Sequence, residues 1–300
     1  MWIILAFCSA ALLGLYDVSK KRSVSGNAVL PVLTLNTLFS CLIFLPFILL
    51  SASGAILDGS MMYVESVDLE THGLVFLKSL IVLSSWILGY FAIKHLPLTL
   101  VGPINATRPV LVLVGAMLIF AERLNIYQWI GVGLALVSLF MLSRSGKKEG
   151  IDFKSNRWII FLILAAILGA ASGLYDKYLM GERRLSPMVV QSWFTLYQFV
   201  EMSLVLLILW WPKRQHTTPF TWRWSILLIS LFLTAADFAY FSALSQDGAM
   251  ISVVSMIRRG SVIVSFACGA LLFHEKNLRN KFLDLLLVLI GLVFLFIGSR

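Results

Sequence analysis

An arginine in the middle of an apolar run is costly, because its charge must leave water and find polar company. Arg108 stands near the midpoint of 98–123 (LTLVGPINATRPVLVLVGAMLIFAER), with Pro103 and Pro109 on either side and Glu122 closing the run. A second stretch of the same kind, 250–276, carries Arg258 and Arg259 in its middle and Glu275 at its end. The chemistry such residues suit is anion recognition, since buried cations facing a common polar interior attract carboxylates or phosphates. Prolines beside them make the helix irregular and free backbone carbonyls for a ligand in a protected cavity. The bland alternative is an arginine that snorkels, or pairs with an acid simply to hold the bundle.

Other residues join this set. Asn105 and Ser255 fall three positions before Arg108 and Arg258, on about the same helical face. They could donate hydrogen bonds to a bound oxygen or merely satisfy a neighbouring helix. Lys78 is a further anion ligand, unless its stem only reaches for the interface. Consecutive residues lie roughly 100° apart around a helix, so only one of Arg258 and Arg259 is expected to face a cavity, and Arg258 is the counterpart of Arg108. Asp237 and Glu201 could each neutralise an arginine or carry a coupling proton. Tyr16-Asp17 and Tyr175-Asp176, late in their segments, fit gates in which hydroxyl and carboxylate pair across a closing path. The tally leaves the core cationic, which favours a small organic anion and disfavours lipophilic cations.

The elements that must position these residues are membrane helices. The chain has 300 residues, 59% of them hydrophobic and 13% charged, with mean hydropathy +0.91. Too few charged side chains are present to cover a soluble domain of this size. Ten apolar segments are read: 2–16, 30–50, 73–93, 98–123, 125–142, 158–179, 188–211, 224–244, 249–273 and 282–297. Each is near the ~20 residues that cross a bilayer. The first lacks a basic leader region and reads as a retained helix. Lys20-Lys21-Arg22 is taken as the start of a loop. Alternating polar and apolar ten-residue runs, the mark of a membrane barrel, are absent.

Cys8, Cys41 and Cys268 have no metal-ligand spacing and read as packing residues. No cofactor, metal or catalytic residue is expected, and the net charge of +9 reads as loop charge that orients helices rather than as a nucleic-acid surface. Most Lys and Arg follow odd-numbered segments, notably Lys20, Lys21, Arg22 and the cluster Arg144, Lys147, Lys148, Lys154, Arg157. Taken literally, this places both termini and the acidic 51–72 loop outside.

The sequence also duplicates itself. Gly14-Leu15-Tyr16-Asp17 returns as Gly173-Leu174-Tyr175-Asp176, Tyr90-Phe91 as Tyr240-Phe241, Arg108 as Arg258 and Glu122 as Glu275. The units are 1–143 and 158–300, joined by a basic linker at 144–157. Five helices per unit is an odd number, so the second copy enters from the opposite side, an arrangement that suits alternating access. Gly14, Gly173, Gly131 and Gly133 are read as positions of close helix approach.

The pattern resembles the EamA-like branch of the drug/metabolite transporter superfamily over essentially the whole chain. The resemblance is carried by Pro103, the run GAMLIFAERL, Gln128-Trp129 and Gly131, and by Glu275-Lys276 in the second copy. That copy departs in having Val253 in place of the usual proline and Asp284 where Gly131 would predict glycine. The resemblance implies an all-α polytopic membrane protein, ten helices as two inverted five-helix repeats, in a plasma membrane of bacterial inner-membrane type. It also implies cytoplasmic termini, against the charge count.

The expected function is secondary transport, with export favoured, of a small anionic or zwitterionic metabolite such as an amino acid. Proton coupling is an open part of that expectation. Expected partners are the metabolite and membrane lipid, with a monomer favoured over a dimer. The competing readings are a transport-inactive structural or regulatory membrane protein, and a polytopic enzyme acting on a lipid-linked substrate.

Overall fold

The computed structural model describes residues 2–55, 60, 62–120, 124–147, 151, 153, 155–179, 183–244, 257–273 and 278–298. Ser255, Glu122, Arg123, Glu275, Lys276, Val253 and Asp58 lie outside the described residues. The chain folds into α1 (Trp2–Val24), α2 (Val29–Ala52), α3 (Leu69–His95), α4 (Leu98–Ala106), α5 (Arg108–Phe120), α6 (Ile126–Lys147), α7 (Arg157–Lys177), α8 (Pro187–Val205), α9 (Trp224–Leu244), α10 (Ser261–Leu272) and α11 (Leu278–Gly298). Among the described residues, seven helices are long and apolar enough to cross a membrane. The protein is thus an all-α polytopic membrane protein, with large apolar side chains such as Ile208, Phe140 and Leu271 exposed on its outside as lipid-facing helices require.

Local chemistry explains several helix ends. Asp68 caps α3 by accepting from the Thr71 amide at 3.1 Å, and hydrogen bonds from Thr71 hold its carboxyl below the usual carboxylate range. Ser186 caps α8 through the Val189 amide at 3.2 Å, with Pro187 at the first helical position. The first helix runs eight residues past the expected end at Tyr16. Its basic triplet is not a loop, because two of the ammonium groups find partners inside the bundle. Lys21 donates to the carbonyls of Ile93 and Leu96 at 2.7 and 2.5 Å, and Lys20 packs over the Tyr16 and Tyr90 rings.

The stretch 98–123, read as one helix, is broken at Thr107. Pro109 has no amide hydrogen, so the carbonyl of Asn105 loses its helical donor, and the ring crowds that carbonyl. The chain tightens there. The Thr107 amide donates to Ile104 at 3.2 Å, the Val110 amide to Thr107 at 3.0 Å, and the Thr107 hydroxyl to Ile104 at 2.7 Å. The second arginine stretch breaks as well, at Gly260, whose amide donates to Ile257 at 2.9 Å before α10 starts. Arg108 opens the helix after one break. Arg258 and Arg259 close the turn before the other.

Packing sets the frame. α1 lies along α9 as α7 lies along α3; α1 meets α10 as α7 meets α5; α2 meets α9 as α8 meets α3. α2 and α8 also pack on each other, and so do α6 and α11. The end of α1 meets the end of α3 through Lys21. The end of α7 meets the start of α3, where the Tyr175 hydroxyl donates to Leu74 at 3.2 Å and Arg183 pairs with Glu70. α1 and α7, which carry the two Gly-Leu-Tyr-Asp copies, therefore run in opposite directions.

Glycine spacing fits the packing only in part. A Cβ at Gly14 would collide with Val264, and one at Gly131 would fall 2.6 Å from Leu295 and 2.8 Å from the Gly291 carbonyl. Gly173 makes only an ordinary contact, 3.7 Å from Val112, and Gly133 faces open space. Those two are not close-approach positions.

Candidate functional site: a cationic central cavity

A cavity of about 560 Å³ lies between α1, α3, α4, α5, α7, α8, α9 and α10. Its wall includes Arg108, Arg258 and Arg259, which the two helix breaks bring to the same space. The helices α5 and α10 also begin here, at Arg108 and Ser261. The positive dipole end of α10 adds to the arginine charge there, whereas at the start of α5 Pro109 has no amide hydrogen and the Val110 and Leu111 amides are taken by the Thr107 carbonyl.

Among the described residues three carboxylates line the cavity, and each has its own cation. Asp237 ion-pairs with Arg258 and accepts a long hydrogen bond from Gln191 at 3.4 Å. Arg258 also sits 4.4 Å over the Tyr240 ring. Asp176 pairs with Lys78 at 2.5 Å. Asp17 pairs with Lys20, one turn along its own helix, at 3.2 Å. Arg108 and Arg259 remain. Neither makes an ion pair among the described residues, and the Arg108 Nε is buried without a hydrogen-bond partner. Its guanidinium rests on Gly169, where a Cβ would stand 2.9 Å from Cζ. Among the described residues the cavity wall therefore carries two more cations than carboxylates, beside an unpartnered Asn105 Oδ1.

The expected site residues divide as follows. Arg108, Arg258, Asn105, Lys78, Asp237, Tyr16, Asp17 and Asp176 line the cavity. Tyr175 does not; its hydroxyl turns to the Leu74 carbonyl. The expected tyrosine–carboxylate pairing is replaced by lysine–carboxylate pairing at both copies, because adjacent helical residues point in different directions. Arg258 and Arg259 both reach the cavity wall, contrary to the expectation that they diverge. The wall takes in Arg258, Arg259, Ser261 and Val262 around the turn at Gly260, so a helix end rather than one helix face meets the cavity.

Glu201 pairs with no arginine. It accepts from the Ser79 hydroxyl between α8 and α3, away from the cavity wall. Sequence reasoning missed Lys20, assigned to a loop, and Gly169, whose role is only to leave room. It also missed Lys281, a fully buried amine that donates to the Thr99 hydroxyl at 2.9 Å. An ammonium one turn from Asp284 within an apolar run was the available sign.

A polytopic helical bundle around a cationic, cargo-sized chamber has the architecture of a membrane transporter. The chain belongs to the EamA-like transporter family, whose model matches residues 1–144 and 156–297; membership in this drug/metabolite transporter group argues against a catalytic role. A probable 4-amino-4-deoxy-L-arabinose-phosphoundecaprenol flippase subunit, ArnE of Aeromonas hydrophila subsp. hydrophila, is 36% identical over 56 residues, or 19% of this chain. The match spans about half, 49%, of that relative's length. A solved crystal structure aligns over 100% of this chain and 98% of its own, with TM-score 0.61 at 13% identity, a likeness of fold.

Proposed function

We propose that this family member is a secondary transporter, in the exporting direction, of a small anionic or zwitterionic metabolite of the amino-acid kind. The observation that carries the reading is the pair of unmatched guanidinium groups, Arg108 and Arg259, in a chamber of about 560 Å³. Every cavity carboxylate among the described residues is already ion-paired with another cation. An incoming carboxylate or phosphate would meet two guanidinium forks beside the start of α10, a donor geometry that bidentate anions match.

Alternating access between unit 1–143 and unit 158–300, joined by 144–157, is the mechanism that fits. Its support is the reciprocal packing of α1 on α9 and α7 on α3, together with the opposed directions of the two Gly-Leu-Tyr-Asp copies. Such units can exchange conformations about a shared midplane site. Lys78–Asp176 joins α3 to α7 toward one end of the bundle, while Lys20 with Tyr16 and Tyr90 fills the cavity wall toward the other. These are the two gates. In the cycle, the anion binds Arg108 and Arg259, Asp237 holds or releases Arg258, and one gate opens as the other closes. A proton moving the other way supplies the drive.

A second reading follows from the flippase-subunit relative: the anion is the phosphate of an amphiphilic, lipid-linked sugar. The arginines serve either cargo, and the two readings separate by experiment. Detergent-purified protein is screened by thermal shift against amino acids, dicarboxylates, sugar phosphates and undecaprenyl phosphate. Stabilisation by small carboxylates, lost in Arg108→Ala and Arg259→Ala, with uptake of the same solute by proteoliposomes, supports the first reading. Stabilisation by the lipid phosphate alone supports the second. No anion-dependent shift in a folded protein overturns both.

A further inference from the structure

The interface between α2 and α8 is unusually polar for helices packed within a membrane. On α8, Ser192, Thr195, Gln198 and Glu201 recur every third residue, and all four are buried. α2, which packs on α8, buries Asn36 and Ser40 one turn apart, and Ser40 shares a pocket with Thr195 and Gln198. Polar residues at such interfaces ordinarily hydrogen-bond across and hold the helices together. Here both amide atoms of Asn36, both of Gln198, the Ser40 hydroxyl and Glu201 Oε2 have no hydrogen-bond partner. Gln198 is 1% exposed and Asn36 fully buried. Buried amides left without partners cost several kcal/mol in an apolar medium, so water is their natural complement.

There is room for it. A small chamber of about 70 Å³ is lined by Ser40 of α2, Gln191, Thr195 and Gln198 of α8, and Asp237 of α9. One water needs about 10–15 Å³ of such space, so a few fit. Trp86, Gln191, Phe194, Leu233 and Asp237 line both this chamber and the central cavity. Asp237 therefore has Arg258 on its cavity side and also lines a pocket with room for water. Gln198 lies one turn from Glu201 on the same face of α8.

We infer that Glu201 is a proton-binding site, reached from the central cavity through the water-holding pocket between Asp237 and Gln198. The carboxyl has one partner, the Ser79 hydroxyl on Oε1, and no ion pair among the described residues. The groups around it offer no competing charge. α2 contributes only the thiol of Cys41 as a titratable group, and α8 itself adds Tyr197, whose hydroxyl bonds the His72 ring at 2.8 Å. From α3, Lys78 neighbours Ser79 in sequence but its ammonium is held by Asp176; Glu70, Lys94, His95 and Tyr90 lie on other turns. A proton is then the species that neutralises Glu201. The inference rests on the transport reading for its purpose: protonation here, and release of Asp237 from Arg258, would be two ends of one hydrated path.

The test needs no cargo. Full-length protein in lipid nanodiscs is titrated with pH under infrared difference spectroscopy, which reads the carbonyl stretch of a protonated carboxyl. We expect a titrating band that is lost in Glu201→Gln, kept in Asp237→Asn, and displaced in frequency in Ser79→Ala. Its shift on transfer to D2O should slow at least about tenfold in Gln198→Leu, which dries the pocket. A band unchanged in Glu201→Gln, or one that ignores pH while the protein stays folded, overturns the inference. So does loss of the band when sodium replaces choline at fixed pH, which assigns the cation as sodium. Anion screening by thermal shift is independent of all these outcomes, so failure of the transport reading would be seen separately.

Discussion

The Arg108 guanidinium lies flat against Gly169, on a helix of the other half of the chain, with no side chain between them. A methyl at residue 169 would fall 2.9–3.1 Å from Cζ, Nη1 and Nε. Gly169→Ala therefore pushes the guanidinium without removing its charge. Anion affinity, read by thermal shift or calorimetry with the best ligand of the screen, should fall about tenfold, equivalent to about 1.4 kcal/mol. Gly173→Ala is the control, since its Cβ meets only an ordinary contact. Equal losses in both would mean that Arg108 is not positioned by Gly169.

The Asp237–Arg258 pair makes a second prediction. Both side chains are 22% exposed, so breaking the pair costs less than the 3–5 kcal/mol of a fully buried one, about 1–2 kcal/mol. Asp237→Asn should lower the thermal unfolding midpoint yet tighten anion binding, because a third guanidinium becomes free. Arg258→Gln should weaken anion binding while leaving the carboxylate less constrained. If Asp237→Asn weakens anion binding, the charge account of the cavity is wrong.

Lys78 and Asp176 should behave as one unit. Single alanine variants and the double variant form a cycle, and a pair 11% and 36% exposed should show coupling of about 1 kcal/mol in unfolding. In transport assays each single variant should change the rate more than substrate affinity, as expected when a gate rather than a binding site is altered. Additive effects in both measurements would dissolve the pair.

The α6–α11 contact predicts a contrast between two glycines two residues apart. Gly131→Leu must displace Leu295 and the Gly291 backbone and should cost about 1–3 kcal/mol or more through overpacking. Gly133→Leu enters open space and should leave a monodisperse size-exclusion profile. If the two behave alike, these helices do not pack as described.

The cap on α3 predicts an acid-sensitive end. Because the Thr71 bonds hold the Asp68 carboxyl below its ordinary range, its contribution is complete above that range and is lost as pH falls through the lowered value. Amide exchange in the first turn of α3 should quicken at low pH in the native chain. Asp68→Asn keeps an acceptor that cannot ionise, so its exchange should show no such step.

Much of this arrangement is legible in the sequence, for reasons that also mark its limits. Arg108 and Pro109 stand out because one is a charge and the other a missing donor in an apolar run. The break at Gly260 carries no such sign: glycine is common in membrane helices, and the matching position lacks a proline. That hidden break presents a helix end to the cavity, whose wall takes in Arg258, Arg259, Ser261 and Val262 together. Lys20 and Lys21 were misplaced because a basic triplet usually marks a membrane edge, and nothing local reveals that carbonyls of α3 and two tyrosine rings are waiting for them. The Lys78–Asp176 pair joins residues far apart in the chain, and such partners are fixed by tertiary packing rather than by spacing. Of the polar ridge of α8 the sequence singles out only Glu201; Gln198 carries no charge to mark it, and the dry or wet character of the ridge depends on what packs against it.

The turn at Thr107 has a mechanical side. A straight membrane helix resists flexing because every bend stretches several backbone hydrogen bonds at once. Pro109 has already removed the one that would span this point, so α4 and α5 are joined by an elbow whose stiffness is low before any load is applied. Gly260 supplies a second elbow ahead of α10, which packs against α4, so α5 and α10 can tilt while α4 stays seated in the lipid.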